Sequence, residues 1–520
     1  MPITNRYNKR VRSGLSLSAS VSMRPFTDPP IPVKIAKMKQ RVCWQHPWLQ
    51  AQGIDQTRLV LDYPRQDSGS PGASPSASPG AADRTDQPSQ SQGFSFLVIG
   101  DTGWGPREDC YPQRHIAEVM LPHLPEVDFI LHTGDVVYTL GSKEYYPSNF
   151  IQPYREWLVG GEQPERIAYD QMRFRVPFFP SLGNHDYCHM PTLAGIAVQG
   201  VYALGRFLGL RVRKNIGWQG SGQGDVYARA FMDYLQSHPT LEALQAHVQQ
   251  HYTAETDTGR CLRYRPGEFT RIPNRYYSFS RGGIEFFALD STTLNQWDPE
   301  AVDALPDREQ RQWLRDRLIQ SWQNSQVRGR ILFFHHPPYV TEATKWKRTE
   351  AYAMRHSLRW VLDGVVAAVP DRGDRPVVDG VFSGHAHCLE YLQTGDTGHG
   401  DAHLSWWVCG GSGCSTRRQR QEGAGLPEWP DTEGTGGGPR SPDAPNPEVA
   451  RSRLYVGKAG QGADRRERYS FLRVDVEPGS PLRWRVRPFA SHWHQGRWWD
   501  EELDPVVMDS VDVNSGILGP

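Results

Sequence analysis

The chain has 520 residues, and its 58 Lys+Arg balance its 58 Asp+Glu. A zero formal charge excludes a global attraction to nucleic acid or to an anionic membrane surface, and no run approaches the ~20 apolar residues of a membrane span. Seven scattered cysteines, an odd number, argue against a secreted disulfide framework; Cys409 and Cys414, around a Gly-rich turn, are the one pair weighed for a bridge. The first thirty residues are basic and polar without an apolar signal core, so the expected location is cytoplasmic.

In chain order, Met1–Pro32 reads as a disordered tail. Lys34–Tyr63 carries Trp44, Trp48 and the apolar run Leu59–Leu61, which suits a short helix and strand docked on a larger domain. A Ser/Pro/Gly/Ala/Gln-rich linker follows (residues 64–93). The expected catalytic domain spans 94–490, with an insertion near 188–273, a mobile loop near 410–468 and a C-terminal tail over 491–520. Every candidate ligand lies beyond Gly100, so removal of residues 1–92 is expected to leave activity largely intact.

The organising stretch is Phe94–Tyr138. It reads FSFLVIGDTGWG, a helix-like segment with Ala117, Val119, Met120 and Leu124, then VDFILHTGDVVY. Two short apolar runs that each stop at Gly-Asp predict a βαβ unit of buried parallel strands. Asp101 and Asp135 then sit at strand carboxyl ends, where open α/β sheets place their chemistry. Two carboxylates brought together there repel unless a cation or proton lies between them.

The rest of the pattern continues the alternation. Val176–Pro180 is a strand ending in SLGNHDY. Val226–Leu235 and Leu241–Tyr252 are amphipathic helices, the second capped by Thr240. Arg275–Ser291 is a hairpin turning at Gly282-Gly283. The helix Asp307–Trp322 feeds the strand Ile331–Phe334, which ends in HHPPY. A helix near Ala351–Leu362 precedes Val377–Phe382 and SGHAH, and Trp406–Cys409 is a further strand. Tyr469–Val474 and Leu482–Val486 close the domain as a hairpin.

Five strand ends thus carry oxygen and imidazole donors: Asp101, Asp135, Tyr138, Asn184, His335, His385 and His387. One such residue is usually a turn cap or a hydrogen-bonded structural group, as expected of His132 inside its strand. Five in order make that reading untenable for the set.

The ordered motifs GDTG, GDVVY, GNHD, HHPPY and GHAH resemble those of the calcineurin-like metallophosphoesterase superfamily. Gly103 in the first motif and Tyr138 in the second resemble its purple acid phosphatase branch. The resemblance implies an α/β fold, a four-layer α/β/β/α sandwich, here with a helical insertion. It implies two metal ions. Metal one is held by Asp101, Asp135, Tyr138 and His387, and metal two by Asp135, Asn184, His335 and His385, with Asp135 bridging. Fe(III) is expected at metal one and Fe, Zn or Mn at metal two. His336 is expected behind His335. His185 faces the phosphate as donor or general acid, with Asp186 orienting its ring.

The implied activity is hydrolysis of phosphate monoesters by metal-bound hydroxide, on a small-molecule phosphoester or a phosphoprotein, with neither nucleic acid nor membrane as partner. A phosphodiesterase acting on nucleotides or cyclic nucleotides, and a non-catalytic binding protein on a phosphatase fold, are the alternatives. After HHPPY the chain reads TEATKWKR where that branch places further histidines; a solvated charged loop is the first reading, with Lys345, Lys347 or Arg348 as substrate-binding candidates. Gly103→His is expected to offer metal one a replacement ligand when Tyr138 is lost.

Overall fold

The computed structural model describes residues 26–63, 93–107, 109–191, 194–197, 216–296, 306–428, 446–461, 464–480 and 482–509. The expected tail before Phe26, most of the linker, residues 198–215 of the insertion and residues 429–445 of the Gly/Pro-rich loop lie outside these.

The first βαβ unit forms as its pattern dictates. Strands Phe94–Ile99 and Phe129–His132 pair in parallel, Phe96 opposite Phe129, and helix Pro112–Met120 crosses between them. Phe178–Pro180 adds in parallel beyond. The long hairpin Arg466–Val476/Arg483–His494 pairs antiparallel on the other side of Phe94–Ile99. Together with their flanking strands these make one sheet. In the second sheet Ile284–Ala288, Gly329–Phe333, Gly380–Ser383 and Ser405–Cys409 run parallel, side by side.

The two sheets face each other through an aromatic layer. Phe96 meets Phe286 edge-on at 5.5 Å between ring centres, Phe129 meets Phe286 at 5.2 Å, and Phe96 meets Phe382 at 6.0 Å. Strand side chains alternate between faces. Phe286, Ile331, Phe333 and Phe382 therefore enter this inner core, while Phe287, Leu332 and Val381 point outward. The outward set is covered by Leu314 and Leu318 of helix Arg308–Gln323 and by Leu358, Leu362 and Val365 of helix Thr349–Ala368. On the far side Ile116, Ala117 and Met120 of helix Pro112–Met120 complete the core. The layers are α/β/β/α. No helix among the described residues is long and apolar enough to cross a membrane.

Five expectations change. The tail was expected to reach Pro32, but Thr27 bridges to His189, and a helix begins at Ile31. Strand Ile54–Leu61 is not merely docked: it runs parallel to Gly259–Tyr264 and meets Tyr277–Arg281 through Arg58 opposite Ser278, so it sits inside the second sheet. The insertion supplies strands Ala254–Thr256 and Gly259–Tyr264 as well as its helices. Residues 410–428 and 446–459, expected as mobile loop, hold the paired strands Gly425–Pro427 and Glu448–Val456, and residues 491–509, expected as tail, hold Arg497–Glu502 and Val506–Asp509, both paired to the long hairpin. Cys409 and Cys414 are free thiols, like the other cysteines.

Candidate metal centre

Three parallel strands of the first sheet and two of the second carry the motif residues just beyond their carboxyl ends. Asp101, Asp135 and His385 all adopt left-handed backbone, with φ of +54°, +54° and +67°. Such conformations cost ~1–3 kcal/mol for a non-glycine residue and persist where the surroundings impose them, often at functional sites. Here they aim each side chain back over its strand end.

Two atoms act as hubs. The Tyr138 hydroxyl lies 2.6 Å from Asp101 Oδ1, 2.8 Å from Asp135 Oδ2 and 3.3 Å from His387 Nε2. His335 Nε2 lies 3.2 Å from Asp135 Oδ2, 3.2 Å from Asn184 Oδ1 and 3.1 Å from His385 Nδ1. Asp135 Oδ2 belongs to both sets. Asp101, Asp135 and His335 offer ligand atoms within 4.8 Å of one another, and so do His335, His336 and His385. All seven expected ligand residues meet at this place.

The imidazoles are oriented from behind. His335 Nδ1 donates to the Thr133 carbonyl at 2.9 Å, and His387 Nδ1 to the Ser415 carbonyl at 3.1 Å, which leaves each Nε2 as the free donor atom. His336 turns its Nδ1 to Ser291 Oγ at 2.9 Å, behind His335, and its ring centre is 4.4 Å from that of His385. Ser291 Oγ also accepts from the backbone N–H groups of His335 and His336. Ser291 has no motif of its own in the sequence, although it follows a sixth strand, Ile284–Ala288, as the candidate ligands follow theirs.

The electrostatics call for positive charge. Burial alone would raise Asp135 and lower His335. Their mutual attraction, with Asp101 acting on His335 and His185 on Asp135, overrides it: Asp135 is held well below the carboxylate range and His335 rises to about 9. Burial and both carboxylates push the Tyr138 phenol well above its usual range, so it serves as donor to them. His132, expected as core, is buried between Thr102 Oγ1 at 3.0 Å and the Gly134 N–H at 3.1 Å, and burial lowers it to about 3, so it stays neutral.

Asp186 does not orient His185. Its Oδ2 accepts from the Gly183 and Asp135 N–H groups at 2.9 and 3.1 Å, and its Oδ1 from Val136 N–H at 3.2 Å. Burial and neighbouring Asp135 raise it to about 8. It ties the second and third motifs together. The His185 ring is set instead by the Thr139 carbonyl, 2.5 Å from Nδ1, and lies 4.5 Å from the Tyr138 ring. Its side chain is 26% exposed.

Gly103 has a steric cause as well. A Cβ there would stand 2.1 Å from the Val136 carbonyl oxygen. The segment bridges in parallel to Val137, and Tyr138 N–H donates to the Gly103 carbonyl at 2.9 Å. A histidine cannot enter without displacing the strand end, so the expected replacement ligand through Gly103→His is not available.

Residues 94–389 match the calcineurin-like phosphoesterase family model. The chain belongs to the calcineurin-like phosphoesterase family. No curated protein matches it by sequence. Among solved structures it is similar to a purple acid phosphatase from yellow lupin (Lupinus luteus) seeds, at 14% identity and a TM-score of 0.39, with 81% of this chain and 55% of that one covered. It is also similar to PhoD, at 12% identity and a TM-score of 0.39 over 81% and 70% of the two chains. A third is GAP50, the anchor in the inner membrane complex of Plasmodium, at 13% identity and a TM-score of 0.36 over 81% and 92%. The chain thus spans about half the length of the lupin enzyme. Its described residues include groups able to hold metal, Asp101, Asp135 and His335 in one and His335, His336 and His385 in another.

Proposed function

We propose that this calcineurin-like phosphoesterase hydrolyses phosphate monoesters at a dinuclear metal centre. One observation carries the reading: Asp135 Oδ2 stands 2.8 Å from the Tyr138 hydroxyl and 3.2 Å from His335 Nε2, and is shared by two converging donor sets. The donors fit such a pair. They are carboxylate, phenol, amide and imidazole, a set that suits Fe, Mn or Zn rather than a soft thiolate metal. The raised His335, held up by Asp135 and Asp101, supports a site that favours positive charge. Asp101, Asp135, Tyr138 and His387 would hold the first ion, and Asp135, Asn184, His335 and His385 the second. When bound, the pair supplies Lewis-acid charge stabilisation and acidifies water for in-line attack on phosphorus.

The chain's own groups do the rest. The His185 backbone N–H donates to Asp135 Oδ1 at 2.9 Å, and its Nδ1 is held on Thr139. This leaves the partly exposed Nε2 edge to donate to a phosphoryl oxygen or to protonate the leaving group. Left-handed turns at Asp101, Asp135 and His385 fix the donors before substrate arrives, so little ordering remains at the moment of reaction. Tyr138 as phenolate favours a hard trivalent cation, so Fe(III) is proposed for the first position and Fe, Zn or Mn for the second. A monoester dianion offers more charge and more terminal acceptors to this donor-rich mouth than a diester does.

The test is turnover of 4-nitrophenyl phosphate against bis(4-nitrophenyl) phosphate by metal-loaded protein. A kcat/KM at least about tenfold higher for the monoester, worth ~1.4 kcal/mol of transition-state stabilisation, is expected. Preference for the diester would put a phosphodiesterase in its place. A protein holding two metals and turning over neither would be a binding protein on this fold.

A further inference from the structure

Lys345 lies in the TEATKWKR segment, and its ammonium stands 2.7 Å from His385 Nε2. Glu350 Oε2 is 3.3 Å from the same nitrogen. One imidazole nitrogen cannot accept from the lysine and donate to the glutamate at once. His385 Nδ1 faces the His335 hub at 3.1 Å, so a metal held there would be met by His385 through Nδ1. With Nδ1 so engaged, Nε2 carries the hydrogen and donates to Glu350, and it can no longer accept from Lys345. Among the described residues His385 Nε2 is the hydrogen-bond acceptor shown for this ammonium. The neighbouring carboxylate of Glu342 already accepts from the Thr344 N–H and hydroxyl, both at 2.8 Å. Loading the site would therefore leave the Lys345 ammonium without this partner at the rim.

We propose that Lys345 is a phosphate-binding residue of this site, its ammonium turning from His385 to a terminal phosphoryl oxygen once the metal ligands are engaged. The proposal rests on the phosphoesterase reading above and adds to it a group that grips the dianion from the His385 side, while His185 stands beside Tyr138 on the other. The segment is built to hold a lysine there. Lys345 N–H and Trp346 N–H both donate to the Glu342 carbonyl at 3.1 Å, and Arg348 N–H to the Lys345 carbonyl at 2.9 Å. Trp346 is buried, with the Arg420 guanidinium 4.2 Å over its ring. The side chain of Lys345 remains partly exposed, as a group meeting a diffusing ligand must. Lys347 points elsewhere, to Glu422 at 3.5 Å.

The experiment is calorimetric titration of metal-loaded full-length protein with inorganic phosphate, for wild type, Lys345→Met, Lys345→Arg and the neighbour control Lys347→Met. Metal content is measured on each sample, and kcat and KM for 4-nitrophenyl phosphate are taken alongside. A hydrogen bond to a charged group is worth enough that Lys345→Met is expected to weaken phosphate about 10–100-fold, with a parallel rise in KM. Lys345→Arg should recover most of this, Lys347→Met should match wild type, and every variant should keep its metal. Unchanged phosphate affinity in Lys345→Met, or loss of metal from it, overturns the proposal; metal loss would make the lysine a support for His385. Wild type that holds metal but binds no phosphate also overturns it. Wild type that binds phosphate through Lys345 yet turns over no ester refutes the catalytic reading and leaves this one standing.

Discussion

Asp186→Asn separates two accounts of a residue beside the site. If Asp186 oriented His185, the variant would keep its stability and metal and lose rate alone. In the structure Asp186 is fully buried and accepts three backbone N–H groups, from Gly183, Asp135 and Val136. Asn with its carbonyl at the Oδ2 position keeps the Gly183 and Asp135 bonds and sets an amide N–H₂ against Val136 N–H. One buried donor is orphaned, at a cost of about 1–3 kcal/mol. Asp186→Ala orphans all three, about 3–9 kcal/mol by the same figure, a large part of a typical 5–15 kcal/mol total stability. Because the lost bonds hold the left-handed turn at Asp135, metal affinity falls as well. The assay is thermal melting of metal-free protein by circular dichroism, with metal content on loaded samples. Lower stability in the order wild type, Asn, Ala, with metal loss in step, is expected. An Asn variant that melts like wild type, holds its metal and loses only kcat would refute the reasoning and restore the orienting role.

Tyr138→Phe removes one oxygen and keeps the ring; iron-loaded wild type should show a visible phenolate-to-iron band that the variant lacks, and a colourless wild type would remove Tyr138 from the ligand set. Glu390, buried in strand Leu389–Thr394 and accepting from Thr341 N–H at 3.0 Å, is raised by burial from 4.5 to about 7. A raised folded pKa contributes stability that is complete below the unfolded value and lost as pH climbs through the folded one, here from pH ~4.5 through ~7 and of order 3 kcal/mol. Glu390→Gln should flatten that decline in urea melts, and an unchanged slope would show that the carboxyl does not titrate there. Removing residues 1–62 takes strand Ile54–Leu61 from between two partners and should give insoluble or markedly destabilised protein; a soluble truncation melting like the full chain would show the strand to be dispensable.

The candidate ligand residues are legible because each follows a short apolar strand that stops at a small or polar turn, a local signal needing no knowledge of distant partners. Their convergence needs two facing sheets whose parallel strands bring their carboxyl ends together. What was not legible depends on non-local contact. Strand Ile54–Leu61 pairs with Gly259–Tyr264 some two hundred residues on, and local pattern cannot choose that partner. The role of Asp186 was misread because a carboxylate after a histidine suggests an orienting pair, whereas three backbone donors surround it only once two loops are packed. The Gly-rich stretch from Gly410 was read as mobile, but glycine there serves close approach: a Cβ on Gly413 would stand 2.1 Å from the Thr102 carbonyl, and Cys414 N–H donates to the Asp101 carbonyl at 3.1 Å. The C-terminal hairpin carries a local signal too, aromatic strands flanking Gln495-Gly496, both with positive φ.

Asp135 is proposed to bridge two metal ions that the reaction needs. The direct measurement is metal stoichiometry by mass spectrometry together with 4-nitrophenyl phosphate turnover, for wild type and Asp135→Asn. Wild type is expected to hold two ions per chain and turn over ester, with both ions and turnover lost together in the variant. Retention of two ions and near-normal kcat in Asp135→Asn, or wild type that turns over ester with no metal bound, would contradict it.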